Sequence, residues 1–310
     1  MVPGSAQHGI LERLSESTPY EEKQRAASAS VVGALGLTIA KLTAGYFSGS
    51  LGILAEAAHS GLDLVAALVT FLAIRVASRP ADRTHLYGHG KVENLSALFE
   101  AGLLVFTCTW IVYEAAMRLL YVTAEIHVTF WSFAVIIFSI IVDVSRSRLL
   151  RRTAEKHHSQ ALEADAIHFE TDIWSSAVVL VGLACVKLSR TIPWLRRADA
   201  VAALIVAAIV LYVTGQLTMR ALQALLDAAP EGLEEQIKRT TMAVPGIADC
   251  HQVRMRYVGS TLFADIHVLM DGKLSLHEAH LLTEEVERAI QTSIPDSDVT
   301  VHAEPMEGQN

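Results

Sequence analysis

The chain has 310 residues, of which 52% are hydrophobic and 19% charged, with a formal charge of −8. That apolar excess, a mean hydropathy of +0.36, excludes a disordered chain and exceeds what an ordinary soluble domain carries, while the acidic balance argues against a nucleic-acid partner. Cys108, Cys185 and Cys250 are too scattered for a disulfide framework or a thiolate zinc site, so the 13 histidines are the more informative count.

Residues 1–26 are polar and lack the apolar core of a signal peptide, which predicts a cytoplasmic N-terminal segment. Six apolar stretches follow, at about 27–47, 51–77, 95–120, 127–149, 161–188 and 198–222. Each is long enough to cross a hydrocarbon core of ~30 Å as a helix. Cations gather in the second-to-third connection (Arg75, Arg79, Arg83, Lys91) and the fourth-to-fifth (Arg146, Arg148, Arg151, Arg152, Lys156), which predicts that these connections and both termini are cytoplasmic. Lys187, Arg190, Arg196 and Arg197 oppose this orientation and are outnumbered. The glycines Gly33, Gly36, Gly45, Gly49 and Gly52 read as sites of close helix packing.

Beyond Asp227, Pro230 and Gly232 open a soluble texture. Periodicity predicts a helix at about 231–243, strands at 249–258 and 261–270, a helix at 275–292 and a strand at 297–303, with a capping box from Ser275 and Glu278. The expected fold class is therefore a membrane α-helical protein with six transmembrane helices, followed by a small α+β ferredoxin-like αββαβ cytoplasmic domain. The expected division is 1–26 N-terminal segment, 27–226 transmembrane domain, 227–305 cytoplasmic domain and 306–310 tail.

The chemistry begins with a repeated spacing inside predicted spans: His59 with Asp63, and His168 with Asp172. Residues four apart share one helix face, so each helix presents an imidazole and a carboxylate together. Two such faces opposed supply the four ligands of a tetrahedral borderline divalent ion, zinc foremost. Two aspartates and two neutral histidines total −2, which a divalent cation cancels or protons relieve; metal and protons thus compete, and alternating access would exchange one for the other. The loop residues Asp82, His85 and His89 have a spacing able to close around a second metal. In the soluble part, His251, His267, His277, His280, His302 and Glu304 form a dispersed set, with alternation placing His302 and Glu304 on one strand face and His267 with Phe263 and Asp265.

Other charged residues have plainer readings. Glu56, Glu100, Asp143, Asp165 and Glu170 would line an aqueous cavity or the cytoplasmic interface, with Asp143 and Arg146 as an interfacial pair. Glu93, Glu100 and Glu114 are secondary candidates for a proton path, and His157 and His158 read as a solvated connection.

Taken together, the stretches Gly49–Ala55 leading to His59 and Asp63, Tyr87–Glu93, and Ala164–Asp172 resemble the cation diffusion facilitator family, most closely its bacterial zinc- and iron-efflux type, over about residues 22–305. The resemblance implies a homodimer in the lipid bilayer, placed in a bacterial inner membrane, exporting divalent metal from the cytosol against protons, with no catalytic role and no organic cofactor. It implies a transport site at His59, Asp63, His168 and Asp172 and a loop site at Asp82, His85 and His89. A binuclear soluble-domain site would use His251, His267, His280, His302 and Glu304, where relatives often have Asp in the place of Glu304 and some have a side-chain ligand in the place of Ala303. It further implies a charge interlock of Lys91 with Asp227 near the dimer interface and an apolar gate at Ile167. Relatives with Asp in the place of His59 look broader in metal choice, so the set here resembles the zinc-selective branch, leaving iron, cobalt and cadmium behind zinc and manganese weaker still. A membrane metal sensor or a metallohydrolase built on the same ligands are the alternatives.

Overall fold

The computed structural model describes residues 18–48, 51–120, 130–188 and 195–306. Residues 1–17, Gly49 with Ser50, Arg190 and the tail beyond Met306 lie outside the described residues, as do the packing of Gly52 and the side chains of Glu114, Cys185, Lys187, Arg196 and Arg197.

Six long helices come first: α1 (Pro19–Ser48), α2 (Leu51–Ala77), α3 (Val92–Leu120), α4 (Phe130–His157), α5 (Gln160–Leu188) and α6 (Leu195–Leu225). The soluble part follows as α7 (Leu233–Met242), β1 (Ile247–Val258), β2 (Thr261–Met270), α8 (Leu276–Ser293) and β3 (Ser297–Pro305), the expected αββαβ order. Helix α1 begins eight residues before its apolar stretch, and α4 continues eight residues beyond its own. Hydropathy measures only the lipid-immersed length, whereas backbone hydrogen bonding carries a helix onward into polar sequence. Thr18 caps α1 by accepting from the Glu21 amide at 3.3 Å, and Pro19 stands in the first turn, where its missing N–H is harmless.

Among the described residues, α1, α2, α3 and α6 contain windows long and apolar enough to cross a membrane. Helices α4 and α5 are as long, with 28 and 29 residues, and bury Asp143, Arg146, Asp165 and His168. The surface of the helical part is inverted relative to a water-soluble protein. Ile39, Phe106, Trp110, Ile141 and Ile209 point outward, while the interior holds small and polar groups such as Ala27, Ser30, Ala66, Ala67, Thr70, Ala97 and Ala101. Small residues permit close helix approach, and lipid rather than water is the solvent for the large ones. Of the glycines expected at such contacts, a Cβ on Gly33 would come within 2.9 Å of Arg146 and one on Gly45 within 2.8 Å of Leu54, whereas Gly36 has open space beside it.

The chain divides into two compact units, residues 1–78 with 92–221, and residues 79–91 with 222–310. In the first, α2 packs against α1, α3 and α5, and α4 packs against α1 and α5. In the second, the sheet order is β1-β2-β3, with β1 antiparallel and β3 parallel to β2. Leu262, Ala264, Ile266 and Val268 of β2 turn to one face and pack with Ile237 of α7 and Val286 and Ile290 of α8. The capping box of α8 is present, with Ser275 Oγ accepting from the Glu278 amide. The connection 79–91 folds onto this unit: Tyr87 meets Phe263 edge-on at 5.2 Å, Arg256 lies over the Tyr87 ring at 4.2 Å, and the Gly90 Cα is so close to the Val258–Gly259 backbone that a Cβ there would sit 2.6 Å from the Val258 carbonyl oxygen.

Candidate metal centres

Because α2 and α5 are neighbours, the two His/Asp faces meet. His168 Nε2 lies 3.3 Å from Asp63 Oδ1 and 3.6 Å from Asp172 Oδ2, and His59 Nε2 lies 3.6 Å from Asp172 Oδ1 and 3.9 Å from Asp63 Oδ1. Each carboxylate therefore faces both imidazoles. Ligand atoms ~2.0–2.1 Å from a tetrahedral zinc are about 3.3 Å from one another, so these separations need only slight contraction around such an ion. Asp63 and His168 are buried, whereas the His59 side chain is 39% exposed. That asymmetry has a structural source. A cavity of about 100 Å³, lined by Glu56, His59, Asp63, Ile136, Asp172 and Ser176, reaches the cluster from the ends of the helices where α2 and α4 begin and α5 finishes. On the opposite side Ala164, Ile167 and Phe169 are buried, with Ile167 packed among Ala97, Ala101, Leu104 and Cys108.

A second layer surrounds the cluster. Glu100, fully buried, presents Oε2 at 3.7 Å from His168 Nδ1 while its other oxygen accepts from the Thr70 hydroxyl at 3.1 Å. Asp143 and Arg146 do pair, at 3.5 Å, but inside the protein and not at an interface: Arg146 is stacked 3.6 Å from the Phe169 ring centroid and donates to Ser30, whose hydroxyl bonds Asp165. Glu56 faces Lys41 at 3.2 Å, and Glu170 takes a bidentate pair of 2.6 Å bonds from Arg151. Glu93 is committed elsewhere, bonded to buried Lys23 at 2.6 Å and to Ser159. His157, expected to be solvated, is instead largely covered and 2.8 Å from Glu22, because the extended start of α1 reaches the end of α4; His158 stays exposed with φ of 49°.

In the connection 79–91, Asp82 Oδ1 is 3.3 Å from His85 Nδ1 and Oδ2 is 3.4 Å from His89 Nε2, with the two rings 4.4 Å apart. The amides of Thr84 and His85 donate to Asp82 at 2.8 and 2.7 Å, fixing the turn and holding its carboxyl well below the usual carboxylate range. The donors fit a borderline divalent ion: the three ligand atoms lie within 4.8 Å of one another, and buried His89 Nδ1 has no hydrogen-bond partner among the described residues.

The third cluster is a product of sheet register. His251 pairs with His267 across β1–β2 and His267 with His302 across β2–β3, so three histidines form one row on the helix-free face. Glu304, two residues beyond His302, shares that face. Its oxygens lie 2.7 Å from His267 Nδ1, 3.2 Å from His251 Nε2 and 3.8 Å from His302 Nε2, and the His267 contact holds its carboxyl below its ordinary value. Glu304 therefore reaches the histidine row despite being longer than Asp. His280 is not gathered into this set; it stands on α8, exposed, 3.5 Å from Glu284, and His277 is exposed as well. The α8 helix lies on the opposite face of the sheet, packing its Val286 and Ile290 into the core, so its histidines have no route to the row within one chain. Lys91 meets Asp227 at 2.7 Å and Arg256 approaches the same carboxylate at 3.5 Å.

Comparison with known proteins matches two stretches of the chain to known families. Residues 27–226 match the family described as cation efflux transmembrane domain, and residues 229–306 match the cation efflux protein cytoplasmic domain. The cation-efflux pump FieF of Cronobacter sakazakii is 33% identical, covering 91% of this chain and 92% of its own, and that of Shewanella oneidensis is 32% identical, covering 95% and 98%. Among solved structures, the MamM CTD in a nickel form is 28% identical and covers 25% of this chain and 100% of that one, with a TM-score of 0.24. The family is one of transporters, which sets aside the metallohydrolase alternative. This chain belongs to the cation efflux, or cation diffusion facilitator, family: it is an integral membrane exporter of divalent metal cations with a cytoplasmic C-terminal domain.

Proposed function

We propose that the protein exports Zn²⁺ from the cytosol in exchange for protons, as a homodimer in a bacterial inner membrane with both termini cytoplasmic, and that His59, Asp63, His168 and Asp172 carry the ion. The observation supporting this most directly is the interleaving of two carboxylates and two imidazoles at 3.3–3.9 Å between α2 and α5. Ionised aspartates with neutral histidines hold −2, matched by one divalent ion; the departed ion's place is taken by protons on the same groups. Two imidazoles in the set favour a borderline ion over a hard, oxygen-preferring one, hence zinc over manganese. The accessible side of His59 and the covered side of His168 support reading this arrangement as open away from the cytoplasm, with Ile167 as the closed apolar gate.

In the same reading, residues 27–226 form the transport domain and residues 227–305 a metal-responsive domain. Asp82, His85 and His89, together with His251, His267, His302 and Glu304, would hold regulatory zinc, its charge balanced in part by the Asp82 and Glu304 carboxylates. His280 would join only from a partner chain. The Lys91–Asp227 pair locks the loop to the soluble domain. The test is flux into sealed vesicles containing the purified protein. Zinc is expected to accumulate against an imposed proton gradient, and Asp63→Ala or His168→Ala to reduce that flux at least a hundredfold. Undiminished flux in either variant overturns the transport-site assignment, and zinc-induced compaction without any flux in the native protein would favour a sensor.

A further inference from the structure

We propose that Glu100 is a positioning residue for the transport site, accepting a hydrogen bond from His168 Nδ1 and so fixing which imidazole nitrogen is offered to the metal. The inference rests on the transport-site reading given above and deepens it. His168 uses its two nitrogens in opposite directions: Nε2 faces Asp63 and Asp172, while Nδ1 faces Glu100 Oε2 at 3.7 Å. Neither Nδ1 nor Oε2 has a hydrogen-bond partner among the described residues, and both are sealed from solvent, His168 being 4% and Glu100 0% exposed.

Two unpartnered polar atoms facing each other in a dry interior carry an unmet cost that a single bond between them removes. The 3.7 Å separation is longer than a hydrogen bond, so the bond requires a contraction of under an ångström. Drawing Nε2 onto an ion supplies a reason for the ring to adjust. The carboxylate itself is anchored from the other side: Thr70 donates to Oε1 at 3.1 Å, and Ser96 lies 3.4 Å from the Thr70 hydroxyl, so α2 and α3 together aim Oε2 at the ring. A carboxylate behind a ligating histidine fixes its tautomer and raises the basicity of the coordinating nitrogen. Among the described residues the Glu100 carboxylate is paired with no lysine or arginine; its neighbours are a hydroxyl and the imidazole. This distinguishes it from Glu93, one heptad earlier on α3, whose oxygens are taken by Lys23 and Ser159.

The test compares zinc transport by Glu100→Ala, Glu100→Gln and the native protein in vesicles, with Asp63→Ala as reference. Removing such an outer carboxylate is expected to raise the KM for zinc roughly 10–100-fold while the maximal rate per folded molecule falls far less. The Gln variant, which keeps an acceptor oxygen but no charge, is expected to lie between. A merely structural role would lower the yield of folded protein and the maximal rate while leaving KM alone, and that result overturns the proposal; so does native KM in both variants. If neither Glu100 variant folds, Thr70→Val, which frees the anchored oxygen, is expected to raise KM in the same direction by a smaller factor, and an unchanged KM there overturns it. The reference separates the two levels of inference: loss of flux in Asp63→Ala with native KM in the Glu100 variants refutes this proposal alone, whereas native flux in Asp63→Ala refutes the transport site beneath it.

Discussion

Asp227 shows how much one residue can be asked to do. It ends α6 in the left-handed region, with φ of 58°, and the Ala228 amide that follows donates back to the Gln223 carbonyl at 2.9 Å, the arrangement that closes a helix C-terminus. Asp tolerates that conformation better than most side chains, so the same residue turns the chain and delivers a carboxylate to Lys91 and Arg256. The Lys91 hydrogen bond holds the Asp227 carboxyl below its ordinary value. A lowered native pKa means that the stabilisation is complete above the unfolded value of ~3.9 and fades as pH falls below it. Asp227→Asn keeps the turn and removes the charge. For a pair this exposed it is expected to cost only about 0.5–1 kcal/mol at pH 7, with the difference from the native protein shrinking toward pH 3 in thermal melts. A gap that widens in acid would contradict this account. At this same scale, the spacing of His59 with Asp63 and of His168 with Asp172 was readable because helix geometry alone puts residues four apart on one face. The Glu100–His168 pairing was not, since it depends on how α3 is rotated against α5, and nothing in a single strip of sequence records rotation.

Between elements, the informative contacts are buried ions and sheet register. Lys23, fully buried in α1, reaches Glu93 of α3 at 2.6 Å, and Ser159 at the start of α5 completes the group. Deleting one partner strands the other charge, so Glu93→Ala is expected to destabilise the helical unit by about 3–5 kcal/mol, while replacing Lys23 and Glu93 together by Met and Leu is expected to recover most of that loss. Thermal inactivation in detergent distinguishes the two variants, and equal stability of both would contradict the argument. The polar composition of residues 1–26 hid this contact, because Lys23 reads there as one more solvated charge. The histidine row had a similar fate. Alternation correctly set His267 beside Asp265 and Phe263, yet only the pairing of β1 with β2 and of β2 with β3, after the irregularity around Gln252, aligns His251, His267 and His302. His280 was drawn into that set by resemblance, and the sheet stands between them.

For the whole molecule, the distribution of side chains states the solvent. Outward Ile, Phe and Trp over an interior of Ala, Ser and Thr is stable in a bilayer, where helix contacts rely on close packing and not on apolar burial. Among the described residues, a cavity reaches the His/Asp cluster from the side on which His59 is exposed, whereas Ala164 and Ile167 are buried on the other. Consequently, in a background without native cysteines, Ser176→Cys is expected to react with a membrane-impermeant maleimide added from outside, and Ala164→Cys to remain at least tenfold slower until zinc and a proton gradient drive turnover. Equal labelling from the start would contradict the one-sided cavity. Hydropathy made the six long helices legible, but not the charged groups buried among them, such as Lys23, Glu93, Glu100, Asp143 and Asp165.

The contact at Gly90 has a mechanical side. Residues 79–91 fold with the soluble unit, pinned where Gly90 touches the Val258–Gly259 turn, yet their two ends are the covalent continuations of α2 and α3. Of those helices, α2 carries His59 and Asp63 and α3 carries Glu100. The residues that meet the β1–β2 turn and the helices that carry these side chains are thus one continuous stretch of backbone, joined by peptide bonds alone.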